Sequence, residues 1–563
     1  MRTLLLIATL VLAQGTPQRV NGAIEGSVVD SITMLPIANA PVTLTSGTLQ
    51  IDAVSDQSGR FLIPNLAPGG YLVASNLDGY FGPEINHYVY VTEGQTSPAT
   101  LSLVPSGSIS GNVADDSGAP LANTDVQVMR VTYRNGIPST ESAGGQSTDS
   151  NGRYNIVRLR PGEYYVAALP KAGGSMIRTF SPSALDLSQA TPVRIHAGED
   201  MSGINITLRK GELFRVSGQV VSAIPDFDAK SSPTSTVTLL SHASGLQDSS
   251  FSSSVTVSML GEANGRFELA NIFPGVYDVY ANLPGAFGKT TVTVNGADVE
   301  HVNITVHRGV DVQGKVTVDG GASPSFNSVR ISLQPEGNAA RLAGYQQLSR
   351  FQPTVDANGA FTIPTVPEGQ YRIQVAFAPP APTPSSVPTR PAANRSIDPF
   401  APDPTPPPAL VSVPLSGAPL GPNAYVADIL QRGVTVFNGG ISVGTQAFDP
   451  LEIRVRTDGG SLEGIVIDGK LIPFGGATVA LAPLVQDRQN PALYRVAVSD
   501  EMGRFSMTAI RPGDYKLLAW DSITPGAYMN AEFLSNYVSK EYPVSVSANI
   551  RIQTKLTVIS TSK

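Results

Sequence analysis

Residues 56–73 read DQSGRFLIPNLAPGGYLV, and nearly the same stretch returns four more times. The matches are DQSGRFLIPNLAPGGY from residue 56, DSNGRYNIVRLRPGEY from 149, EANGRFELANIFPGVY from 262, DANGAFTIPTVPEGQY from 356 and DEMGRFSMTAIRPGDY from 500. Gly59, Gly152, Gly265, Gly359 and Gly503 each precede a second glycine by ten residues: Gly69, Gly162, Gly275, Gly369 and Gly513. Two residues further on stand Tyr71, Tyr164, Tyr277, Tyr371 and Tyr515. An acidic residue lies three before the first glycine in every copy.

Each position has a physical reading. An Asp three residues ahead of a Gly marks a turn, because the carboxylate accepts backbone N–H bonds and Gly tolerates positive φ. The aromatic at Gly+2 and the apolar residue at Gly+7 are core anchors, and the run between them alternates sides as a strand does. Pro-Gly, or Glu-Gly in the fourth copy, turns the chain into a strand that starts with Tyr. Upstream of each copy lies a short strand with a central glycine: IEGSVVD, ISGNVAD, VSGQVVS, VQGKVTV and LEGIVID. Between them sit alternating runs such as APVTLT and ATVALAP, and closing runs such as ATLSLVP and TKLTVIS follow. About seven short strands in roughly 85 to 110 residues is the pattern of a β-sandwich. The expectation is an all-β chain of five tandem Greek-key β-sandwiches, arranged as beads on a string. Their bounds are 22–105, 106–212, 213–309, 310–458 and 459–563. Helix is expected only as a short turn near residues 530–537, where Phe533 and Tyr537 are spaced i, i+4.

The fourth unit carries a Pro-rich insert at 378–413 whose composition favours extended, unpacked chain and reads as a disordered loop or tether. Charged residues make up 15% of the chain, the net charge is −7, and neither nucleic acid nor an anionic membrane is the expected partner. Arg2 followed by the apolar run Leu4 to Ala13 reads as a signal peptide at 1–13, with Gln14 the first mature residue. Export to the periplasm, the cell surface or the medium follows. No later run reaches the length of about 18 apolar residues that a membrane span needs. Cysteine is absent, which excludes disulfides and thiol catalysis.

The G-x-V of the first strand, P-x-x-x-A-x-V-x-L from Pro36 to Leu44, D-x-x-G-x-F and L-x-P-G-x-Y-x-L together resemble the carboxypeptidase regulatory-like domains. These are relatives of the Cna-B and transthyretin-like β-sandwiches. The resemblance implies secreted or cell-surface repeat proteins of bacteria and a domain that accompanies a zinc peptidase without being one. The rival is an immunoglobulin-like sandwich such as fibronectin type III, since L-x-P-G-x-Y also looks like a tyrosine corner. Cna-B relatives also carry Lys–Asn isopeptide bonds made beside a buried acid. Lys315 follows a first-strand glycine, but Ser27, Asn112, Gln219 and Ile465 hold that place elsewhere, which argues against such bonds.

Chemistry is sparse. His196 to Glu199, HAGE, resembles an H-x-x-E zinc signature with His301 and His307 downstream, yet it falls in a loop whose other copies lack it, and open-site zinc needs three ligands on a rigid scaffold. Asp56, Asp149, Asp356 and Asp500 are better turn caps than calcium ligands, because calcium requires six or more oxygens. No enzyme, no metal and no cofactor is expected. The serious alternative to a scaffold or adhesion protein is a polysaccharide binder, because exposed rings stack on sugars at low entropic cost. In HYVYV, burial of Val89 and Val91 would turn Tyr88 and Tyr90 outward, with Tyr80 and Phe81 near in sequence. Trp520, Tyr528 and Tyr542 form a second candidate platform. The sequence leaves the partner unknown, with a polysaccharide or cell-surface proteins as the candidates.

Overall fold

The computed structural model describes residues 21–561, except 83–86, 171–175, 226, 231, 243–245, 247–251, 262–263, 320–325, 327–328, 378–422 and 501. The signal-peptide and Pro-rich-insert expectations therefore lie outside the described residues. The chain divides into one unit ending at Gly107 with residues 197–199 added, and a second holding Ser108–His196 and everything from Asp200 on. Each is taken by itself.

The first unit has two four-stranded sheets. One is built from β1 (Gly22–Asp30), β4 (Arg60–Leu66), β6 (Tyr80–Phe81) and β8 (Thr96–Pro105), in the order β4-β1-β8-β6. The other holds β2 (Pro41–Ser46), β3 (Leu49–Val54), β5 (Gly69–Ala74) and β7 (His87–Val91), in the order β3-β2-β5-β7. β1 runs antiparallel to β4 but parallel to β8. Ile24, Val28, Val42, Leu44, Phe61 and Ile63 are among the side chains that fill the space between the sheets.

The motif explains the strands. In β4 the residues alternate exposed and buried, with Phe61, Ile63 and Leu66 inward, and the later copies repeat the order. The Asp56 carboxylate accepts from the N–H groups of Ser58 (2.8 Å) and Arg60 (2.9 Å). Asp149, Asp356 and Asp500 do the same from positions two and four residues on. Gly59 has φ +73°, and a Cβ there would stand 2.8 Å from the Val28 carbonyl oxygen, so no side chain fits. On Gly26 a Cβ would overlap both the Ala99 carbonyl oxygen and the Phe61 ring. The first-strand glycine is thus the seat of the motif aromatic.

The second glycine opens the strand that the Pro-Gly corner leads into. Gly69, Gly162, Gly275 and Gly513 do so at φ between 154° and 158°, a backbone that residues with side chains rarely adopt. In Gly275, Gly369 and Gly513 the position of an added Cβ lies 3.3 to 3.7 Å from the ring of the Tyr two residues on. That ring crosses over the glycine, and its hydroxyl donates to the carbonyl oxygen four residues back. The bonds are Tyr71 to Ala67 (2.9 Å), Tyr164 to Arg160 (2.5 Å), Tyr277 to Phe273 (2.9 Å), Tyr371 to Pro367 (2.8 Å) and Tyr515 to Arg511 (2.8 Å).

The second unit repeats the arrangement. First strands Gly107–Ala114, Phe214–Ser222, Val310–Asp319 and Gly460–Ile467 pair with motif strands on one side and, in parallel, with closing strands on the other. Among the described residues there are two α-helices, α1 (Ala343–Arg350) and α2 (Ala531–Ser535), besides short 3-10 turns. α2 falls within the stretch expected to turn helical, whereas α1 has no counterpart in the sequence reading. From residue 108 on, successive copies follow in chain order as expected of beads, and they also meet through side chains.

Candidate functional site

The outer face of the strand that carries the motif Tyr differs between copies. Pleating sends Tyr71 and Val73 inward and Gly70, Leu72 and Ala74 outward in β5. Register places Tyr88 beside Leu72, Leu72 beside Thr45, and Thr45 beside Gln50, in one row across four strands. Val89 and Val91 are buried, while Tyr88 and Tyr90 are 50% and 70% exposed, as their alternation requires. Tyr90 lies across from Gly70, with its ring 3.2 Å from where a Cβ would be, so the glycine gives the ring a seat. Farther along the face Thr43 donates to Asp52 (2.8 Å), as does Gln50 (3.2 Å). Two rings and a row of uncharged hydrogen-bonding groups, with Asp52 the only acid among the described residues of the face, make a surface suited to stacking and bonding hydroxyl-rich ligands.

Tyr80 and Phe81 do not join it. They form β6 at the edge of the opposite sheet, paired with Val104 and Pro105. Tyr80 is half-buried, and its hydroxyl donates to Asp30 (3.2 Å). Burial raises the Asp30 carboxyl, but hydrogen bonds from Thr33 and Ile32 outweigh this and hold it below the usual carboxylate range. Nearness in sequence misleads here because a sandwich sends consecutive strands to different sheets.

Trp520 is also misplaced by the sequence reading. It is fully buried, in a second cluster on the outer face of its sheet with Ala480, Tyr494, Leu518, Tyr528 and Leu534. Its ring meets Tyr537 edge-on at 5.6 Å and Phe533 at 6.1 Å. Tyr528 is buried too, and Tyr542 alone of that proposed platform is exposed. The residues 521–541, which include α2, lie over the face that strand alternation leaves open.

Other copies cover this face as well. In the second, Met129, Val131, Tyr165 and Ala167 lie beneath Phe180 and Leu187. In the third, Asp278 and Tyr280 lie beneath the segment that carries Asn338 and Tyr345. The fourth is polar, with Arg372 paired to Glu336 and Gln374 bonded to Gln334.

The buried carboxylate of Asp278 was missed entirely. It is 2% exposed and bonds His242 (3.0 Å), Lys289 (3.2 Å), Thr291 (2.9 Å) and Asn338 (3.0 Å). Burial pushes its carboxyl up, but the bonds from Asn338, Thr291 and His242, with the Lys289 charge, bring it below the usual range. A lysine, an acid and an asparagine thus meet here, and not at the exposed Lys315. The acid, ionised above its lowered pKa, pairs with Lys289 at 3.2 Å and with the Asn338 amide, so the three groups are tied to one another by charge and hydrogen bonds. The only long-range sequence cue is the Asp after Tyr277, where other copies have Leu72, Tyr165, Arg372 and Lys516.

Among the described residues no three His, Cys, Asp or Glu side chains gather where they would hold a metal. His196 is half-buried at a strand end, and the His301 side chain is 95% exposed in backbone of φ +60°. An open cleft of about 740 Å³ in the second copy is lined by Ser108, Asp149, Arg153, Tyr154 and Asp200. Its acids are engaged, Asp149 in its turn and Asp200 by the Ser108 hydroxyl (2.5 Å). Among the described residues, no helix is long and apolar enough to cross a membrane.

Residues 23–104 and 108–209 each match the family model of the carboxypeptidase regulatory-like domain. Colossin-A of Dictyostelium discoideum is 25% identical over 181 residues, which is 28% of this chain and 2% of Colossin-A. The chain therefore spans a very small part of that curated relative. Among solved structures, the Bacillus anthracis TIE protein is similar at 14% identity and a TM-score of 0.17, with 51% of each chain covered. GBS52, the minor pilin of Streptococcus agalactiae, is similar at 14% identity and a TM-score of 0.23, covering 34% of this chain and 97% of that one.

Proposed function

We propose that the chain, two of whose segments match the carboxypeptidase regulatory-like domain, is an exported, non-catalytic scaffold or adhesion protein. In this reading residues 1–13 are a signal peptide. The mature part is five tandem β-sandwich domains at 22–105, 106–212, 213–309, 310–458 and 459–563, working in the periplasm, at the cell surface or outside the cell. One observation supports it above others. The recurring residues of the motif are occupied in holding their own sandwich: Asp caps the turn, the first glycine fits it, and the Tyr hydroxyl ties down the corner. Repetition of this kind multiplies a support and not a reaction centre.

Expression of the full chain in a bacterial host, followed by fractionation and N-terminal sequencing, tests export. A mature protein beginning at Gln14 outside the cytoplasm is expected, and an uncut cytoplasmic chain sinks the reading.

A second reading is favoured by Tyr88 and Tyr90, two neighbouring rings that both stand exposed on the outer face of the first copy. In it the first domain binds a neutral polysaccharide. Pull-down on insoluble glycans should retain the chain, and Tyr88→Ala with Tyr90→Ala should weaken retention at least tenfold. Failure of every glycan to retain the unsubstituted chain leaves the scaffold reading alone.

A further inference from the structure

Among the described residues, copies two, three, four and five meet in four places, and three of these join neighbours along the chain. Arg178 lies over the Phe273 ring (5.4 Å), joining the second copy to the third. Asn338 and Tyr345 join the third to the fourth. Asn490 donates to the Phe437 carbonyl (2.9 Å) and Arg511 lies over the Phe437 ring (5.1 Å), joining the fourth to the fifth. The additional contact brings the fifth copy back to the second.

It is made by a long hairpin of the second copy and a segment of the fifth. The hairpin of Asp125–Arg134 and Ile137–Ser147 ends in Asn135-Gly136, both with positive φ (50° and 80°), a tight turn for which this pair is suited. Although it is a hairpin tip, Gly136 is buried. The residues 526–533 of the fifth copy receive it. The Asn530 side-chain amide donates to the Gly136 carbonyl (2.9 Å) across 394 residues of sequence. Tyr133 meets Phe533 edge-on at 6.2 Å. A Cβ on Gly136 would overlap the Met529 carbonyl oxygen, and one on Gly526 would stand 2.6 Å from the Tyr133 carbonyl oxygen. Each side has a glycine where the other's backbone comes closest.

We infer that this tip-and-socket contact is a latch that closes copies two to five into one body, with residues 526–533 as the dedicated receptor for the 133–136 tip. Asn530 serves both sides of the arrangement. Its Oδ1 caps α2 by accepting from the Phe533 N–H (2.7 Å), and its Nδ2 holds the tip. Asn530→Asp keeps the cap and replaces the donor with an oxygen that faces the Gly136 carbonyl.

The chain has no cysteine, so two introduced ones give clean labelling. Spin labels at Glu141→Cys and Ser535→Cys, both exposed positions, report the separation by pulsed dipolar spectroscopy on the full chain. The unsubstituted latch should give one narrow distance that does not change on tenfold dilution. Adding Asn530→Asp and Tyr133→Ala should lengthen it and spread it several-fold. Fluorescence of Trp520, the sole tryptophan, verifies that the fifth core stays folded, and Tyr133→Ala alone tests opening from the other side. A broad distance in the parent, one unchanged by either variant, or one that disappears on dilution because tip and socket pair between molecules would overturn the latch.

Discussion

The first and fifth copies share their motif, their turn and their Tyr corner, yet the outer faces of their Tyr strands have opposite fates. In the first, Tyr88 and Tyr90 stand in solvent above Leu72 and Gly70. In the fifth, Leu518 and Trp520 occupy outward positions on the same strand and are buried beneath residues of 521–541. Each copy needs only its inner face to fold, so the outer face is free to be covered, dressed with polar pairs or left open. A sandwich repeat gains its individuality there. Covering turns a face into internal support, and leaving aromatic rings on it offers a surface to a ligand.

The comparison breaks first at Trp520. Trp520→Ala should cost the fifth copy about 3–5 kcal/mol, as large aromatic truncations in packed cores do. Tyr90→Ala should change the first by no more than about 0.5 kcal/mol. Hydrogen exchange of peptides from residues 504–520 and 60–74 measures both, and equal losses would mean that the two faces do not differ as described. The third copy sharpens the point with a buried charge. Asp278→Ala removes the acceptor shared by Thr291, Asn338 and the half-exposed Lys289, which can turn to water, so the loss should be about 1–3 kcal/mol. Because the Asp278 carboxyl is held below its unfolded value of about 3.9, its contribution is complete above that pH and is lost as pH falls through the lower folded value. Thermal unfolding of this region should therefore stay level from neutral pH to about 5 and drop below about 4 in the parent, and the Ala variant should lack that drop.

Smaller effects test what the copies share. Tyr515→Phe removes the hydroxyl that reaches the Arg511 carbonyl and should cost about 1 kcal/mol, with Tyr71→Phe costing the same within error. A large difference would show that the corner is not equivalent in open and covered copies. Smallest is a gain. Asn65, Arg158, Asn271, Thr365 and Ala509, each six residues after the first motif glycine, all have φ between 53° and 61°. Four of them, Asn65, Asn271, Thr365 and Ala509, face a register shift in their first-strand partner, in the first, third, fourth and fifth copies. Left-handed backbone costs a β-branched residue, so Thr365→Gly should stabilise the fourth copy by up to about 1 kcal/mol, seen as slower exchange across residues 360–366. Faster exchange would show that the Thr365 side chain holds that strand.

Much of the fold could be read in advance because it depends on short-range rules. The turn at Asp56 to Gly59, the inward order Phe61, Ile63, Leu66 and the outward turn of Tyr88 and Tyr90 all follow from residue spacing and a strand period of two. The bulge had no such signal, since Asn, Arg, Thr and Ala share no side-chain property that marks positive φ. α1 was hidden because AGYQQLSR is too short and polar to stand out, and it takes its place by setting Tyr345 against Tyr280 and Phe287. Trp520 was read as surface because alternation gives the side of the sheet a residue points to, not what lies over that side.

By itself the sequence determined the repeat, the all-β sandwich and the structural duty of each motif residue, for these rest on contacts between residues close in the chain or paired by a fixed strand period. Only the tertiary structure decided which outer faces are covered, which acid is buried among a lysine, a histidine and an asparagine, and that the 133–136 tip meets the 526–533 socket. Those outcomes depend on groups brought together across as many as 394 residues. No local pattern encodes such meetings, because packing and hydrogen bonding act through space and the chain supplies the partners from anywhere along its length.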